Sequence, residues 1–255
     1  MGVAPGPSNS VDSQRTYRRF AHKGANFRIC CGRFDAATAE IVRQRRALED
    51  HLGRHPAFGE SLRPVAARPG GPEVARRMAA AAERVGVGPM AAVAGAMAQL
   101  AAEAALAAGD AEAIVENGGD VFCVCRRPVV VGLYAGDSPV GDRLALRVAP
   151  ERTPLAICSS SGRMGHSLSL GACDLATVVA ADAALADAAA TRAANLVRTA
   201  GDLDGALERI AAIAGVAGVL LVKGDRVGLV GDLPPLAPNR DAELRLKVTR
   251  DPAAR

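Results

Sequence analysis

The sequence contains no Trp, only two Tyr and only five Phe among its 255 residues, so aromatic side chains make up 3 % of the chain. A core built on aromatic packing is therefore excluded. Hydrophobic residues nevertheless make up 49 % of the chain, so a sizeable core must form from Ala, Val, Leu and Ile. The length suits one large domain or two small ones.

Cysteine and histidine patterns typical of zinc sites or disulfide frameworks are also missing. The six cysteines include no C-x₂-C pair, which argues against a zinc site of that type. No signal peptide is recognisable at the N-terminus, so reduced thiols of a cytoplasmic protein are expected. His51 and His55 are four residues apart, but Gly53 and Pro56 argue against a continuous helix that would present them together to a metal.

No segment predicts binding to a membrane or to nucleic acid. The longest apolar run, Met90 to Leu106, includes Gln99 and Glu103 and is expected to be too short and too polar to span a bilayer. The net charge is +4, and its excess lies in basic runs at 15–23 and 43–46. Such runs are typical of solvated surfaces, and no nucleic-acid-binding module accompanies them. The oligomeric state stays open.

Apolar periodicity predicts strands and helices that do not alternate strictly, which is typical of an α+β fold. Strands are expected at 16–22, 27–34, 121–125, 129–134, 144–148, 155–158, 175–180, 218–222 and 226–230, with 121–125 and 129–134 forming a hairpin. Helices are expected at 36–52, with Asp35 as N-cap, and at 73–84, 90–108, 186–197 and 203–214. Composition predicts a disordered tail at 1–14, a folded domain at 15–233 and a polar C-terminal tail at 234–255.

The segment from Cys158 to Asn195 has the highest density of uncharged polar groups. In its helix, Asp187 and Thr191 are four residues apart and so lie on one face. A carboxylate beside a hydroxyl suits Mg²⁺, whose remaining ligands are often phosphate and water. Alternatively, Asp187 lies in the first helical turn and interacts with the helix dipole, while Thr191 bonds its own backbone.

The same segment begins with a loop rich in serine and glycine, which includes Ser160, Ser161 and Gly162. Hydroxyls and free N–H groups suit phosphate binding, and His166 suits a contact to phosphate or a proton transfer. An ordinary loop with one structural His is the alternative. Neither a G-x-S-x-G nucleophile motif nor a Walker A motif is present.

Two further segments place glycines near predicted element ends. Asn117-Gly118-Gly119-Asp120 follows an apolar strand and permits either a close approach to a ligand or an ordinary tight turn. Gly86 to Ala91 fits G-x-G-x-x-A loosely, but it follows a helix and so does not predict a Rossmann motif. Gly88 suits an N–H contact to phosphate at a helix N-terminus, or simple architecture before Pro89.

Four segments in this order resemble the ApbE-like superfamily, which includes FAD-dependent protein flavinyltransferases. They are VGPMAAVAG at 87–95, VENGGD at 115–120, SSGRMGHSLS at 160–169 and ADAAAT at 186–191. The resemblance runs from about Tyr17 to Leu233 and is closest to a shorter branch of the superfamily. It implies an α+β, ApbE-like (T-fold-related) domain with a mainly antiparallel sheet and packed helices.

The resemblance also implies roles for residues. In the transferases an A-D-x-x-x-T helix supplies Mg²⁺ ligands beside the flavin pyrophosphate, and Asp187 and Thr191 match those positions. Other matched positions are implied to bind the cofactor, with His166 as the catalytic candidate; the cofactor-binding set is Gly88, Gly95, Asn117, Gly118, Gly119, Asp120, Ser160, Ser161 and Gly162. This chain departs from the transferases where they carry Lys-Gly and an Asp one turn later, since it has Ala94-Gly95 and Ala98-Gln99.

Two functions follow as hypotheses. One is a Mg²⁺-dependent protein that binds FAD, FMN or a related small phosphate-bearing ligand and acts as a flavin transferase. The other is a non-catalytic ligand-binding or maturation protein that kept the pocket and lost the chemistry. Under both hypotheses the four segments are expected to converge on one cleft.

Overall fold

A computed structural model describes residues 15–162 and 171–239. The strands are Arg18–His22 (β1), Ala25–Cys31 (β2), Ala113–Asn117 (β3), Asp120–Val124 (β4), Val129–Leu133 (β5), Leu144–Val148 (β6), Leu155–Ser160 (β7), Leu175–Ala180 (β8), Val216–Lys223 (β9), Arg226–Gly231 (β10) and Leu236–Pro238 (β11). The helices are Phe34–Arg54 (α1), Pro56–Glu60 (α2), Glu73–Val85 (α3), Val93–Ala107 (α4), Ala183–Leu196 (α5) and Leu203–Ala211 (α6).

Eight strands form one antiparallel sheet, in the order β1-β2-β3-β4-β7-β8-β9-β10. Its strands carry apolar residues on both faces, because each face is covered by another layer. The helices cover one face of the central strands. The α+β fold with mainly antiparallel pairing is therefore confirmed.

A second antiparallel sheet of three strands, in the order β11-β6-β5, covers part of the opposite face. The predicted hairpin of 121–125 with 129–134 is wrong, because β4 pairs with β3 and β7 while β5 pairs with β6. Both segments are strands, but the connection carries the chain from one sheet to the other. Side chains of Cys123 and Leu155 from the large sheet and of Leu146 and Val148 from the small sheet share one buried core.

The helical layer depends on alanine. Helix α5 is buried along most of its length, and α4 packs against it. Small side chains let two helix backbones approach closely, so the helical layer fills the core densely without large aromatic side chains. The buried helix α5 begins at Ala183, three residues before the predicted start, because the Asp182 side chain accepts the Leu185 N–H at 3.1 Å.

Among the described helices, one stretch, Pro89–Ala107, is long and apolar enough to cross a membrane by length and composition. The expectation that this run is too short and too polar is therefore wrong on those two criteria. Half of the stretch is buried inside the protein, where α4 packs against α1, α5 and β3. A helix in the core of a protein is long and apolar in the same way, so length and composition describe a core helix equally well.

The start of α1 and the chain beyond residue 233 differ from the expectations. Asp35 is not the N-cap of α1, since the helix begins at Phe34 and Asp35 lies in its first turn. There its charge still complements the helix dipole. Beyond the predicted boundary at residue 233, β11 pairs with β6, so part of the expected polar tail belongs to the small sheet.

Candidate functional site

A cleft of about 1740 Å³ opens between the two sheets and the helical layer. It is larger than the roughly 300–1,000 Å³ of a typical small-molecule site. Residues from all four predicted segments line it together: Met90, Val93, Ala94, Asn117, Gly118, Gly119, Asp120, Ser160, Ser161, Asp187 and Thr191. Gly88, Gly95 and Gly162 are not among the lining residues. His166, the catalytic candidate of the segment 160–169, lies outside the described residues.

The turn at 117–120 is a tight hairpin that lines the cleft. Gly118 and Gly119 connect β3 to β4 with φ values of +66° and +110°. Two positive φ values in a two-residue loop define a type of turn that favours glycine. The segment is therefore a tight turn, and it brings Asn117 and Asp120 side by side at the cleft wall.

Asp187 connects α5 to the first turn of α4. Its side chain is 7 % exposed, and its Oδ2 accepts the Gly95 N–H at 2.9 Å. Burial raises the pKa of Asp187 to about 7, although the N–H groups of Gly95 and Ala94 oppose that shift. The expectation that Asp187 lies in the first turn of its own helix is wrong, because α5 begins at Ala183 and Asp187 follows the first turn. Its carboxylate instead meets the N-terminus of α4.

Asp120 faces the same region from the hairpin turn. Its side chain is 6 % exposed, and its Oδ1 is buried without a hydrogen-bond partner in the described structure. Burial raises the pKa of Asp120 well above its usual range, and the negative charge of Asp187 raises it further. The cleft therefore holds two adjacent buried carboxyl groups that cannot both ionise at low cost unless a positive charge joins them.

Cys158, on the neighbouring strand β7, is a thiol in this setting. It is fully buried, and burial raises its pKa well above the usual value, with the charges of Asp120 and Asp187 adding to the shift. Its Sγ lies 3.5 Å from the Ala183 carbonyl oxygen. A reactive thiolate needs the opposite surroundings, so Cys158 contributes packing and a hydrogen bond to the Ala183 carbonyl oxygen.

The oxygen atoms of Asp120, Asp187 and Thr191 fit a hard divalent cation. The unpartnered Oδ1 of Asp120 and the hydroxyl of Thr191 are the donor types that Mg²⁺ prefers. Among the described residues, no three His, Cys, Asp or Glu side chains are grouped as in a tight, protein-only metal site. A cation here would need further oxygen ligands, and a phosphate group supplies them.

The three glycines that do not line the cleft allow close backbone packing. A Cβ at Gly95 would lie 2.2 Å from the Ala183 carbonyl oxygen, where α4 crosses α5. A Cβ at Gly88 would lie 1.9 Å from the Ser61 carbonyl oxygen, and one at Gly162 would lie 2.4 Å from that of Gly171. The structure thus gives these glycines a packing role beneath the cleft.

Two side chains hold this region together: Asn117, which the sequence predicted only as a cofactor contact, and Gln99, which it did not predict. Asn117 donates from Nδ2 to the Ala94 carbonyl oxygen at 3.2 Å, so the Ala94-Gly95 step of α4 is held by Asn117 and Asp187 together. Gln99 accepts the Ala183 N–H at 2.8 Å and donates to Glu103. Its Oε1 therefore caps the N-terminus of α5, a contact between residues 84 apart that no local pattern predicts.

The rest of the cleft is rich in basic side chains, which the sequence did not predict either. Away from the carboxyl pair, six basic side chains line it against one carboxylate, Glu116; they are Arg15, Lys23, Arg28, Arg45, Arg127 and Arg147. Four of the six form ion pairs: Arg15 with Glu112, Lys23 and Arg45 with Glu49, and Arg28 with Glu116. The cleft thus has a carboxyl end and a remainder of mostly ion-paired basic groups, in which the exposed Arg147 suits a contact with an anionic ligand.

Comparison with known proteins agrees with the resemblance in the sequence. Residues 19–220 match the model of a family described as AbpE bacteria. A UPF0280 protein of Methanocella arvoryzae is 43 % identical over 196 residues, which cover 77 % of this chain and 80 % of the relative. A UPF0280 protein of Methanopyrus kandleri is 40 % identical over 217 residues, covering 82 % and 87 %.

Solved structures with a similar fold include two flavin transferases. The flavinyl transferase ApbE of Pseudomonas stutzeri, in its apo form, has a TM-score of 0.55 and 11 % identity, covering 87 % of this chain and 96 % of that one. The flavin transferase ApbE of Vibrio cholerae has a TM-score of 0.56 and 12 % identity, covering 86 % and 97 %. At this level of identity the likeness concerns the fold.

Proposed function

Since the chain belongs to the ApbE-like family described as AbpE bacteria, we propose that it binds a flavin nucleotide or a related phosphate-bearing ligand together with Mg²⁺. The ligand occupies the cleft with its phosphate next to Asp187 and Thr191. In this proposal the protein is soluble and cytoplasmic, and it binds neither membrane nor nucleic acid.

One observation carries the proposal: two buried carboxyl groups meet in the cleft, and one of their oxygens is unpartnered. Asp120, Asp187 and Thr191 would hold the cation, which would supply the positive charge that a phosphate needs beside two carboxylates. Ser160 and Ser161 line the same cleft and suit hydrogen bonds to phosphate oxygens. The predicted contact of His166 belongs to this proposal.

The reaction we propose is flavin transfer, supported by the fold that this chain shares with the two flavin transferases. The alternative is a ligand-binding or maturation protein without that chemistry. A specific observation favours the alternative. Where the transferases carry Lys and Asp, this chain has Ala94 and Ala98-Gln99, and Gln99 is engaged with Ala183 and Glu103.

Calorimetric titration tests the binding proposal. FMN and FAD are titrated into the full chain with and without Mg²⁺, and each ligand is expected to bind more tightly with the metal present. By linkage, FMN must raise the affinity for Mg²⁺ by the same factor. Equal affinities in all four titrations would contradict the proposal.

A second measurement separates the two functions. The protein is incubated with FAD and Mg²⁺, and the nucleotides are resolved by chromatography. A flavin transferase moves FMN from FAD to an acceptor hydroxyl and releases AMP; in this incubation water takes the place of the acceptor, so FMN and AMP are the expected products, whereas a binding protein leaves FAD intact. Asp187→Asn is the control, because it removes the charge at nearly constant shape and should abolish any AMP release.

A further inference from the structure

The two edges of the large sheet are built differently. Strand β1, at one edge, carries Arg18, Arg19 and His22, and charges of this kind protect an open edge from pairing with another chain. Strand β10, at the other edge, has neither charge nor Pro between residues 227 and 230. Three large apolar side chains are exposed there: Val227 at 38 %, Leu229 at 48 % and Val230 at 36 %.

The backbone of β10 has free hydrogen-bonding groups at regular positions. The Asp174 N–H donates to the Val222 carbonyl oxygen at 3.0 Å, so Val222 directs its polar groups away from β10. Its partner across the ladder, Val227, therefore directs its N–H and C=O to the open edge, and so does Leu229 two residues on. In the described part of the chain, no hydrogen bond to these four groups is found.

The two faces of β10 also differ. Val227 and Leu229 lie opposite Val222 and Leu220, on the face that the small sheet covers further along. On the helical face, Gly228 lies under Leu207, since a Cβ there would be 2.7 Å from Leu207 Cδ1. The edge thus presents two apolar side chains on one face and a bare glycine between them on the other.

We infer that β10 pairs with β10 of a second copy of this chain, antiparallel, about a two-fold axis at Gly228. In this register Val227 of each copy pairs with Leu229 of the other, so their four N–H and four C=O groups form four hydrogen bonds and none is left unpaired. Two Val–Leu cross-strand pairs form on one face. The glycines meet at the centre of the other face.

The charges at the two ends of β10 fit this partner. Arg226 lies at the turn end next to Asp225, and Asp232 lies just beyond the far end, where its 78 % exposed side chain forms a surface ion pair with Arg152. An antiparallel arrangement brings the Arg226 end of one copy to the Asp232 end of the other, on both sides of the axis. A parallel arrangement would place like ends together. A second copy therefore satisfies the hydrogen bonds and the apolar stripe at once, and it brings Arg226 of each copy towards the exposed Asp232 of the other.

Sedimentation of the full chain over a range of concentrations tests the inference. A dimer is expected. Leu229→Lys places like charges beside the axis and should raise the dimer dissociation constant by at least about 100-fold. Val42→Lys is the matched control, because Val42 is 40 % exposed on α1 and should leave the dimer intact. A monomer at all concentrations, or a dimer that Leu229→Lys does not weaken, would overturn it.

Disulfide trapping tests the register and does not depend on the fold of the lysine variant. In the double variant Val227→Cys with Leu229→Cys, each introduced thiol faces one in the second copy. Mild oxidation should give a covalent dimer that a reductant reverses. The unsubstituted chain is the control, since five of its six thiols are buried and Cys31 is half-buried. Absence of the covalent dimer in the double variant would overturn the register.

Discussion

Two sets of glycines in this protein resemble each other in sequence and differ in structure. Gly118 and Gly119 form the turn at the cleft wall, where a Cβ meets either nothing or a single atom at 3.8 Å. Gly88, Gly95 and Gly162 lie beneath the cleft, where a Cβ would come within 2.4 Å of a backbone oxygen. Glycines of the first set adopt a backbone conformation that other residues disfavour. Glycines of the second set let two chain segments approach each other closely. A glycine-rich motif therefore does not by itself indicate a ligand contact.

The largest expected effect tests the set beneath the cleft. Gly95→Ala should destabilise the fold by about 3 kcal/mol or more, because the α4 and α5 backbones must separate. Gly205→Ala is the matched control, since Gly205 lies in α6 with nothing within 4 Å of a Cβ, and it should stabilise by up to about 1 kcal/mol. Chemical denaturation measures both; equal effects would contradict the packing role.

The next effect tests the carboxyl pair above those glycines. Asp187→Asn keeps the hydrogen bond to the Gly95 N–H and removes the charge. It should therefore weaken the Mg²⁺-dependent part of FMN binding by about one to two decades while the fold survives. Glu208→Gln, on the exposed face of α6 away from the cleft, is the control and should leave the coupling unchanged. Calorimetry on both variants provides the measurement; unchanged coupling in Asp187→Asn would make Asp187 only a capping residue.

A pH dependence follows from the same pair. The pKa of Asp187 in the folded protein, about 7, exceeds its value of about 4 in the unfolded chain. Protonation therefore stabilises the metal-free fold fully below pH 4, and this contribution is lost as the pH rises through 7. Between pH 5 and pH 7 the loss is about 2 kcal/mol.

Thermal unfolding of the metal-free protein measures that loss. The decrease in melting temperature from pH 5 to pH 8 should be smaller in Asp187→Asn, which cannot ionise there. Mg²⁺ with FMN should raise the melting temperature more at pH 8 than at pH 5. Burial lowers the pKa of His51, which adds an opposite slope at acid pH, so the difference between the two proteins is the informative quantity. Parallel curves would contradict the shifted carboxyl pair.

The smallest effect concerns the turn itself. Gly118→Asn should change the free energy of unfolding by less than about 0.5 kcal/mol, because Asn tolerates φ near +66° in this turn type. Gly119→Ala should cost about 1 kcal/mol, since φ of +110° disfavours a side chain. Denaturation curves compare the two. A large loss in Gly118→Asn would mean that this turn, like Gly95, is needed for packing.

Much of the fold could be predicted from local patterns. The strand at 175–180, the helix at 73–84 and the hairpin at 218–230 are present within a few residues, because periodicity and turn chemistry act over short distances. The hairpin of 121–125 with 129–134 failed for a physical reason. Locally, Arg126-Arg127-Pro128 fits a turn between two paired strands. Each strand instead pairs within a different sheet, because burial between the two sheets stabilises the fold more than a local hairpin would.

The candidate site divides in the same way. The sequence by itself determined that Asp187 and Thr191 share a helix face and that Asn117 to Asp120 turn the chain, since both follow from spacing and conformation within four residues. Only the tertiary structure decided that Asp120 faces Asp187, that Gln99 caps α5 and that Gly95 lies against Ala183. These contacts join residues 67, 84 and 88 positions apart in the sequence. Burial and close backbone approach bring them together, and neither leaves a trace in the local pattern.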